Sequence, residues 1–171
     1  MTFRPLALVL AAAALFGLSQ GASAQTCSGN PCNVNNTASV TVGTVLKLTL
    51  SSITTALTPP DQTAYDNGYQ LDNGPAATVK ANRPWTLKIS SAASNWTAAN
   101  GANAAKAAGD LQWGTVSGGP YTGLTTSAAS VTTGTGTSGT AQNFFYKTLW
   151  GYATDTPGDY SLVVVYTLTA P

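Results

Sequence analysis

The side chains that could carry ionic or redox chemistry in this 171-residue sequence are few: six acids, seven Lys or Arg, and two cysteines. All six acids are Asp, and there is no His. A His-dependent nucleophilic triad and a His-bearing zinc site are therefore excluded. Glu-based glycoside hydrolysis is excluded as well, although an Asp pair could serve that reaction in principle. Such a pair needs two carboxyl groups in one cleft with their proton affinities pushed apart. Nothing in the spacing of these Asp residues points to that, so no enzyme and no cofactor are expected. Asp66-Asn67-Gly68 and Asp72-Asn73-Gly74 repeat one signal, with Asp61 nearby. Their oxygens suit calcium. Asp-Asn-Gly is first a turn, however, because Asn and Gly accept positive φ. Turns are expected at both places, and calcium at Asp61, Asp66 and Asp72 stays open.

Cys27 and Cys32 flank Ser28-Gly29-Asn30-Pro31, a turn-forming tetrapeptide. An even pair this close reads as a disulfide in an oxidising compartment. A metal pair lacks other soft ligands. A redox pair usually has two residues between its cysteines and sits in an α/β pattern, and neither condition is met.

The compartment is indicated independently. Arg4 supplies a short positive region, Leu6 to Leu18 is apolar, and Ala22-Ser23-Ala24 has the small-x-small form of a signal-peptidase site. The apolar run is shorter than the roughly 20 residues that a spanning helix needs. Residues 1–24 are therefore expected to be a signal peptide, with cleavage leaving Gln25 first. The residues before Cys27 do not form a lipobox. A segment 25–36 with the disulfide and a single domain over 37–171 should follow. The mature protein is expected to be secreted or held at the cell surface, or to lie in a periplasm, and the leader and composition look bacterial. Without Arg4, six basic residues balance six Asp. Only 8% of residues are charged, against roughly 25% in an average globular protein. No basic face exists for nucleic acid.

The elements that position these residues should be strands. Thr and Val favour pleated, half-buried surfaces, while Gly, Asn and Pro punctuate them. Val40 and Val42 alternate with Thr41. Val45 to Leu50 alternates, with Leu46, Leu48 and Leu50 on one face. Ala77 to Ala81 forms a short strand with Val79 inward. Trp85, Leu87 and Ile89 alternate with Thr86, Lys88 and Ser90, the period of a sheet with one buried face. Leu111 and Trp113 repeat it, and Phe144 to Tyr152 is a longer aromatic strand. Asp155-Thr156-Pro157-Gly158 supplies a turn. Tyr160 to Thr169 alternates throughout and gives the clearest strand signal in the chain. Residues 92–109 fit a short helix or a long loop. Thr132 to Thr140 is nearly all Gly, Thr and Ser and should be a flexible loop or an exposed strand edge. An all-β fold follows, a Greek-key β-sandwich of immunoglobulin-like architecture with about seven to nine strands.

Two aromatic motifs lie in these strands. Trp85-Thr86-Leu87 is a Trp-x-Leu tripeptide, and the chain ends Tyr160-Ser-Leu-Val-Val-Val-Tyr166-Thr-Leu168-Thr-Ala-Pro171. Together they resemble the paired signature of WxL-domain proteins, an early Trp-x-Leu and a terminal Tyr-x-x-x-Leu-Thr-Trp-x-Leu-x-x-x-Pro. Val164, Val165 and Tyr166 stand where that family has Leu, Thr and the second Trp, and Pro171 comes one residue early. The resemblance implies an exported bacterial surface domain attached non-covalently to the cell wall. The residues themselves imply packing: Trp85, Leu87, Tyr160, Val164, Tyr166 and Leu168 alternate as core residues of a sandwich do. Aromatics free to contact a ligand are sought in loop-like sequence, at Tyr65, Tyr69, Trp96 and Tyr121.

The function expected is therefore a non-catalytic structural or binding domain at the envelope, with a wall or surface polysaccharide as partner. A pilin-like or adhesin subunit is the first alternative. It would associate with copies of itself by strand exchange, using the N-terminal segment or Thr132 to Thr140. A secreted carbohydrate-binding module is the second alternative.

Overall fold

The computed structural model describes residues 26–171. The signal peptide expected over 1–24 lies outside them. The chain divides after Thr41, a few residues beyond the boundary expected at 36. Residues 26–41 carry no strand or helix, and Cys27 is bonded to Cys32 with 5.8 Å between Cα atoms. Val42–Pro171 is an all-β unit. No helix among the described residues is long and apolar enough to cross a membrane.

Among the described residues, ten strands form three antiparallel sheets. They are β1 Leu46–Leu50, β2 Tyr69–Ala81, β3 Trp85–Ser91, β4 Thr97–Ala99, β5 Leu111–Gly114, β6 Thr122–Gly123, β7 Ala129–Gly134, β8 Thr137–Leu149, β9 Asp159–Ser161 and β10 Val164–Thr169. The largest sheet runs β1-β2-β8-β5-β6, the second β10-β3-β7, and the third is the pair β4-β9. One helix, α1 Gln62–Asn67, precedes β2.

The two larger sheets share one core. Ala77, Val79, Phe144 and Tyr146 come from the first, and Trp85, Leu87 and Ile89 from the second. All seven are the inward residues of alternating segments. Phe144 meets Tyr166 edge to face at 4.9 Å, a favoured aromatic geometry. The Tyr146 and Tyr166 hydroxyls share a 2.5 Å hydrogen bond across the sheets. That bond lets two tyrosines enter the core without an orphaned hydroxyl.

Trp85 and Leu87 are buried, and Ile89 with them, while β3 pairs with β10 so that Leu87 stands opposite Leu168 and Ile89 opposite Tyr166. β1 has the expected faces, with Leu46, Leu48 and Leu50 turned to the core and Lys47 and Thr49 exposed.

Several elements differ from expectation. Ten strands replace seven to nine, because short pairs such as β4-β9 carry little sequence signal. Val40 and Val42 form no strand and are 86% and 76% exposed. The terminal run is two strands, not one. β9 pairs with β4 and β10 with β3, and the chain changes sheet at Leu162-Val163. At that step the Val163 carbonyl accepts from the Ala92 amide at 2.9 Å. Residues 92–109 hold β4 and one 3-10 turn at Ala108–Asp110. For Thr132 to Thr140, the strand-edge alternative is the one seen: Thr132 to Gly134 ends β7, an edge strand of the second sheet, Thr135 and Gly136 form a bend, and β8 begins at Thr137.

The two Asp-Asn-Gly signals part company. Asp61 accepts from the Ala64 amide at 2.9 Å and caps α1, so Asp66-Asn67 ends a helix, with Gly68 at φ 77° as its stop. Asp72-Asn73-Gly74 lies inside β2, where the pairing with β8 shifts register between Asn73 and Ala76. Gly74 is needed there for space. A Cβ would stand 3.0 Å from the Tyr146 ring and 3.1 Å from Phe144 Cβ.

Candidate functional site

Two features of the β unit combine unusual chemistry with defined geometry. The first is a crevice of about 490 Å³ with a mixed polar and apolar lining, much of it from the loop after β1. β1 is the edge of the first sheet and β10 the edge of the second, and no strand among the described residues pairs with the outer side of either. Leu50 on β1 and Val164 and Tyr166 on β10 line the crevice. Tyr146, Leu111 and Trp96 contribute core surface to it. Unpaired strand edges beside exposed apolar surface are a template for an added strand. Val163, which also lines the crevice, and Val165 are exposed.

The second feature is a buried ion pair in an aromatic cage. Lys106 Nζ donates to Asp155 Oδ1 at 2.7 Å and to the Leu149 carbonyl at 2.7 Å. The two side chains are 1% and 6% exposed. A second carboxylate, Asp110 Oδ2, lies 3.7 Å from the same nitrogen. Asp155 Oδ2 accepts from the Gly151 amide at 2.8 Å and from Thr154 Oγ1 at 3.1 Å. The Trp150 ring centre is 4.3 Å from Nζ and that of Tyr160 5.9 Å. Trp150 and Tyr160 meet edge to face at 5.7 Å, and Trp96 packs at right angles on Tyr160. The Tyr160 hydroxyl donates to the Thr156 carbonyl and accepts from the Asn103 amide. The loop bearing Lys106 is thereby tied to the loop bearing Asp155.

Local sequence explains each half of this arrangement. Asn103 Oδ1 accepts from the Ala105 amide and turns the chain before Lys106. The Asn95 and Ala107 bridge holds the other side of that loop. Asp155 folds back on Gly151 through its own amide and carboxylate.

Each residue singled out in the sequence has a place. Trp85 is 3% exposed and its indole nitrogen donates to the Thr135 carbonyl at 2.7 Å. Tyr160, Val164, Tyr166 and Leu168 are half-buried against the core. Of the aromatics sought in loop-like sequence, Tyr65 lies on α1 and Tyr69 begins β2, and Trp96 departs furthest from expectation. It is 5% exposed and belongs to the core, because β4 and the bridge at Asn95 draw its loop onto the sheets. Tyr65 stacks on Tyr152 at 4.9 Å and donates to the Asp155 carbonyl. Tyr69 lies under the Lys147 ammonium at 4.5 Å. Tyr121 folds over Gly119 and accepts from the Gly118 amide.

The three candidate calcium carboxylates are engaged separately. Asp61 caps α1, Asp66 accepts from the Tyr152 hydroxyl at 3.0 Å, and Asp72 accepts from the Thr58 amide and hydroxyl. Among the described residues, no three His, Cys, Asp or Glu side chains gather as a metal-binding group.

Two core tyrosines show displaced acidity that geometry explains. Burial holds the Tyr166 hydroxyl far above the ordinary tyrosine range, and the adjacent Tyr146 adds to it. Burial also raises Tyr146, with the hydrogen bond to Tyr166 acting the other way.

The Lys106 site was not legible in the sequence. A lone cation in the Ala-rich tract 102–108 was the available signal, and its partner lies 49 residues away. No family model, no curated protein and no solved structure matches this chain.

Proposed function

We propose that this protein is an exported, non-catalytic structural subunit of the cell envelope that associates with copies of itself by strand addition. The observation that carries this reading is that β1 and β10 are both unpaired edge strands, beside a crevice lined by Leu50 of β1, the loop that follows it, and Val164 and Tyr166 of β10. The donor is the N-terminal segment of a second copy. Val34, Val40 and Val42 are exposed in a stretch without secondary structure, and all three fall on one parity with Ala38. In an added strand they would point to one face, toward the apolar side chains in the crevice, such as Leu50 and Val164. The sandwich is read as a Greek-key, immunoglobulin-like one. Support comes from β2 and β3, which are consecutive yet lie in different sheets, and from the late strands β8 and β10, which return beside them.

A second reading, wall attachment of the WxL kind, is supported by the register of β3 with β10. That pairing puts the two distant halves of the signature side by side, Leu87 opposite Leu168. A wall or surface polysaccharide is the ligand on that reading.

The test uses the full mature protein and its Val40→Asp/Val42→Asp variant. Strand addition predicts a ladder of oligomers by size-exclusion with light scattering, and its loss in the variant with an unchanged melt. A wild-type protein that stays monomeric at high concentration and sediments with washed envelopes would favour wall attachment and refute self-assembly.

A further inference from the structure

We propose that Lys106 and Asp155 condense spontaneously into an intramolecular amide, a covalent cross-link between the loop before β5 and the loop after β8. Such a bond needs an amine held against a carboxyl group, a proton carrier, a stabilised oxyanion and the exclusion of water. All four are present. Nζ lies 2.7 Å from Asp155 Oδ1 in a site where both side chains are nearly sealed from solvent. Asp110 Oδ2, at 3.7 Å from Nζ, is the second carboxylate. The Gly151 amide and Thr154 hydroxyl are aimed at Asp155 Oδ2. Trp150 and Tyr160 cover the pair. Holding the two groups in contact replaces an encounter in solution, an advantage that reaches about 10⁵–10⁸ M in effective concentration.

The step balances without any co-reactant. The Lys106 ammonium gives one proton to the Asp110 carboxylate. The freed lone pair attacks Asp155 Cγ, forming the C–N bond and placing negative charge on Oδ2, where Gly151 and Thr154 donate to it. Asp110 delivers its proton to Oδ1, and a second proton passes from the nitrogen to the same oxygen. The Cγ–Oδ1 bond then breaks and releases water. The ammonium and carboxylate become one amide and one water, with no change in oxidation state.

The product also fits its surroundings. An amide keeps one N–H, and the Leu149 carbonyl already accepts from this nitrogen at 2.7 Å. The amide oxygen is the former Oδ2, which retains both of its donors. Every polar atom of the product therefore has a partner, as a buried amide requires. The ionic form leaves two charges buried, a costly arrangement that holds only while fully paired.

The experiment is mass spectrometry of the purified full mature protein, denatured and with its disulfide reduced. The expected mass is lower than the sequence mass by one water. Trypsin should fail to cut after Lys106 and should yield a branched peptide joining the Lys106 and Asp155 segments. Asp110→Asn keeps the ion pair and tests the proton carrier, so it should fold, as judged by its melt, and show at least a tenfold slower gain of the branched peptide. A wild-type protein of full mass that trypsin cleaves after Lys106 would overturn the proposal. An Asp110→Asn protein that links as fast as wild type would overturn the mechanism given to Asp110.

Discussion

Trp85 is where packing and ligand roles make opposite forecasts, and its surroundings allow the magnitude to be worked out. The indole is nearly sealed, and its ring lies across the ladder from Gly134, its register partner on β7. A Cβ on Gly134 would come within 2.6 Å of Trp85 Cζ2 and 2.8 Å of Cε2. The ring therefore occupies the space where a side chain on β7 would stand. Replacing Trp85 by Ala removes that ring and leaves a cavity, a change that costs about 3–5 kcal/mol in well-packed cores. The lost hydrogen bond to Thr135 adds little, since Thr135 is exposed and its carbonyl recovers water. A loss of about 4 kcal/mol is a large share of a typical domain's 5–15 kcal/mol, and in a domain of this size lowers Tm by roughly 10–20 °C. Gly134→Ala, by overpacking against the ring, should cost about 1–3 kcal/mol. In the double variant the new methyl enters vacated space, so the combined loss should fall short of the sum by about 1 kcal/mol or more. Lys88→Ala, on the opposite face of β3, should stay within about 0.5 kcal/mol. Urea titrations with thermal melts decide the matter. A Trp85→Ala protein that melts like the parent refutes the assignment of faces. Losses that simply add refute the stacking of the ring on Gly134.

Three further outcomes are expected. The Tyr146–Tyr166 pair binds its protons more tightly when folded than when unfolded, so its contribution is intact below about pH 10 and is lost as pH rises further. Stability should fall with pH above that point, by at most about 1.4 kcal/mol per pH unit for each tyrosine, and Tyr166→Phe should flatten the fall; an equal alkaline slope in the variant would refute the assignment. Gly158→Ala should lose at least about 2 kcal/mol, since φ is 153° and the new methyl would meet the Ala102 amide and stand 2.6 Å from the Ala99 carbonyl, and an unchanged denaturation midpoint would contradict this. Thiol blocking without reduction should label neither Cys27 nor Cys32, and Cys→Ser at both should cost no more than about 2 kcal/mol, because the ring is small; collapse of the fold in that variant would show a larger role.

The alternation of Trp85, Leu87 and Ile89, and of Leu46, Leu48 and Leu50, determined by itself that these strands bury one face and which face it is. Period-2 patterning is a local property, and each residue carries its own share of the signal. The absence of His and the scarcity of charge likewise set the chemistry without reference to any fold. What the sequence did not determine are the events that depend on partners far along the chain. Tyr160 to Thr169 alternates without a break, yet it splits at Leu162-Val163 because β4 and β3 recruit its two halves into different sheets. Asp66-Asn67-Gly68 and Asp72-Asn73-Gly74 read identically, and only the capping at Asp61 and the pairing of Asp72 and Asn73 with Tyr146 and Phe145 of β8 make one a helix end and the other part of a strand. Trp96 is a loop residue by composition and a core residue by tertiary packing. Lys106 is an unremarkable cation until the loop after β8 brings Asp155 against it and Trp150 and Tyr160 over it. An ion pair of that separation leaves no periodic trace, since its energy arises from burial and from contacts that exist only after the sheets have assembled.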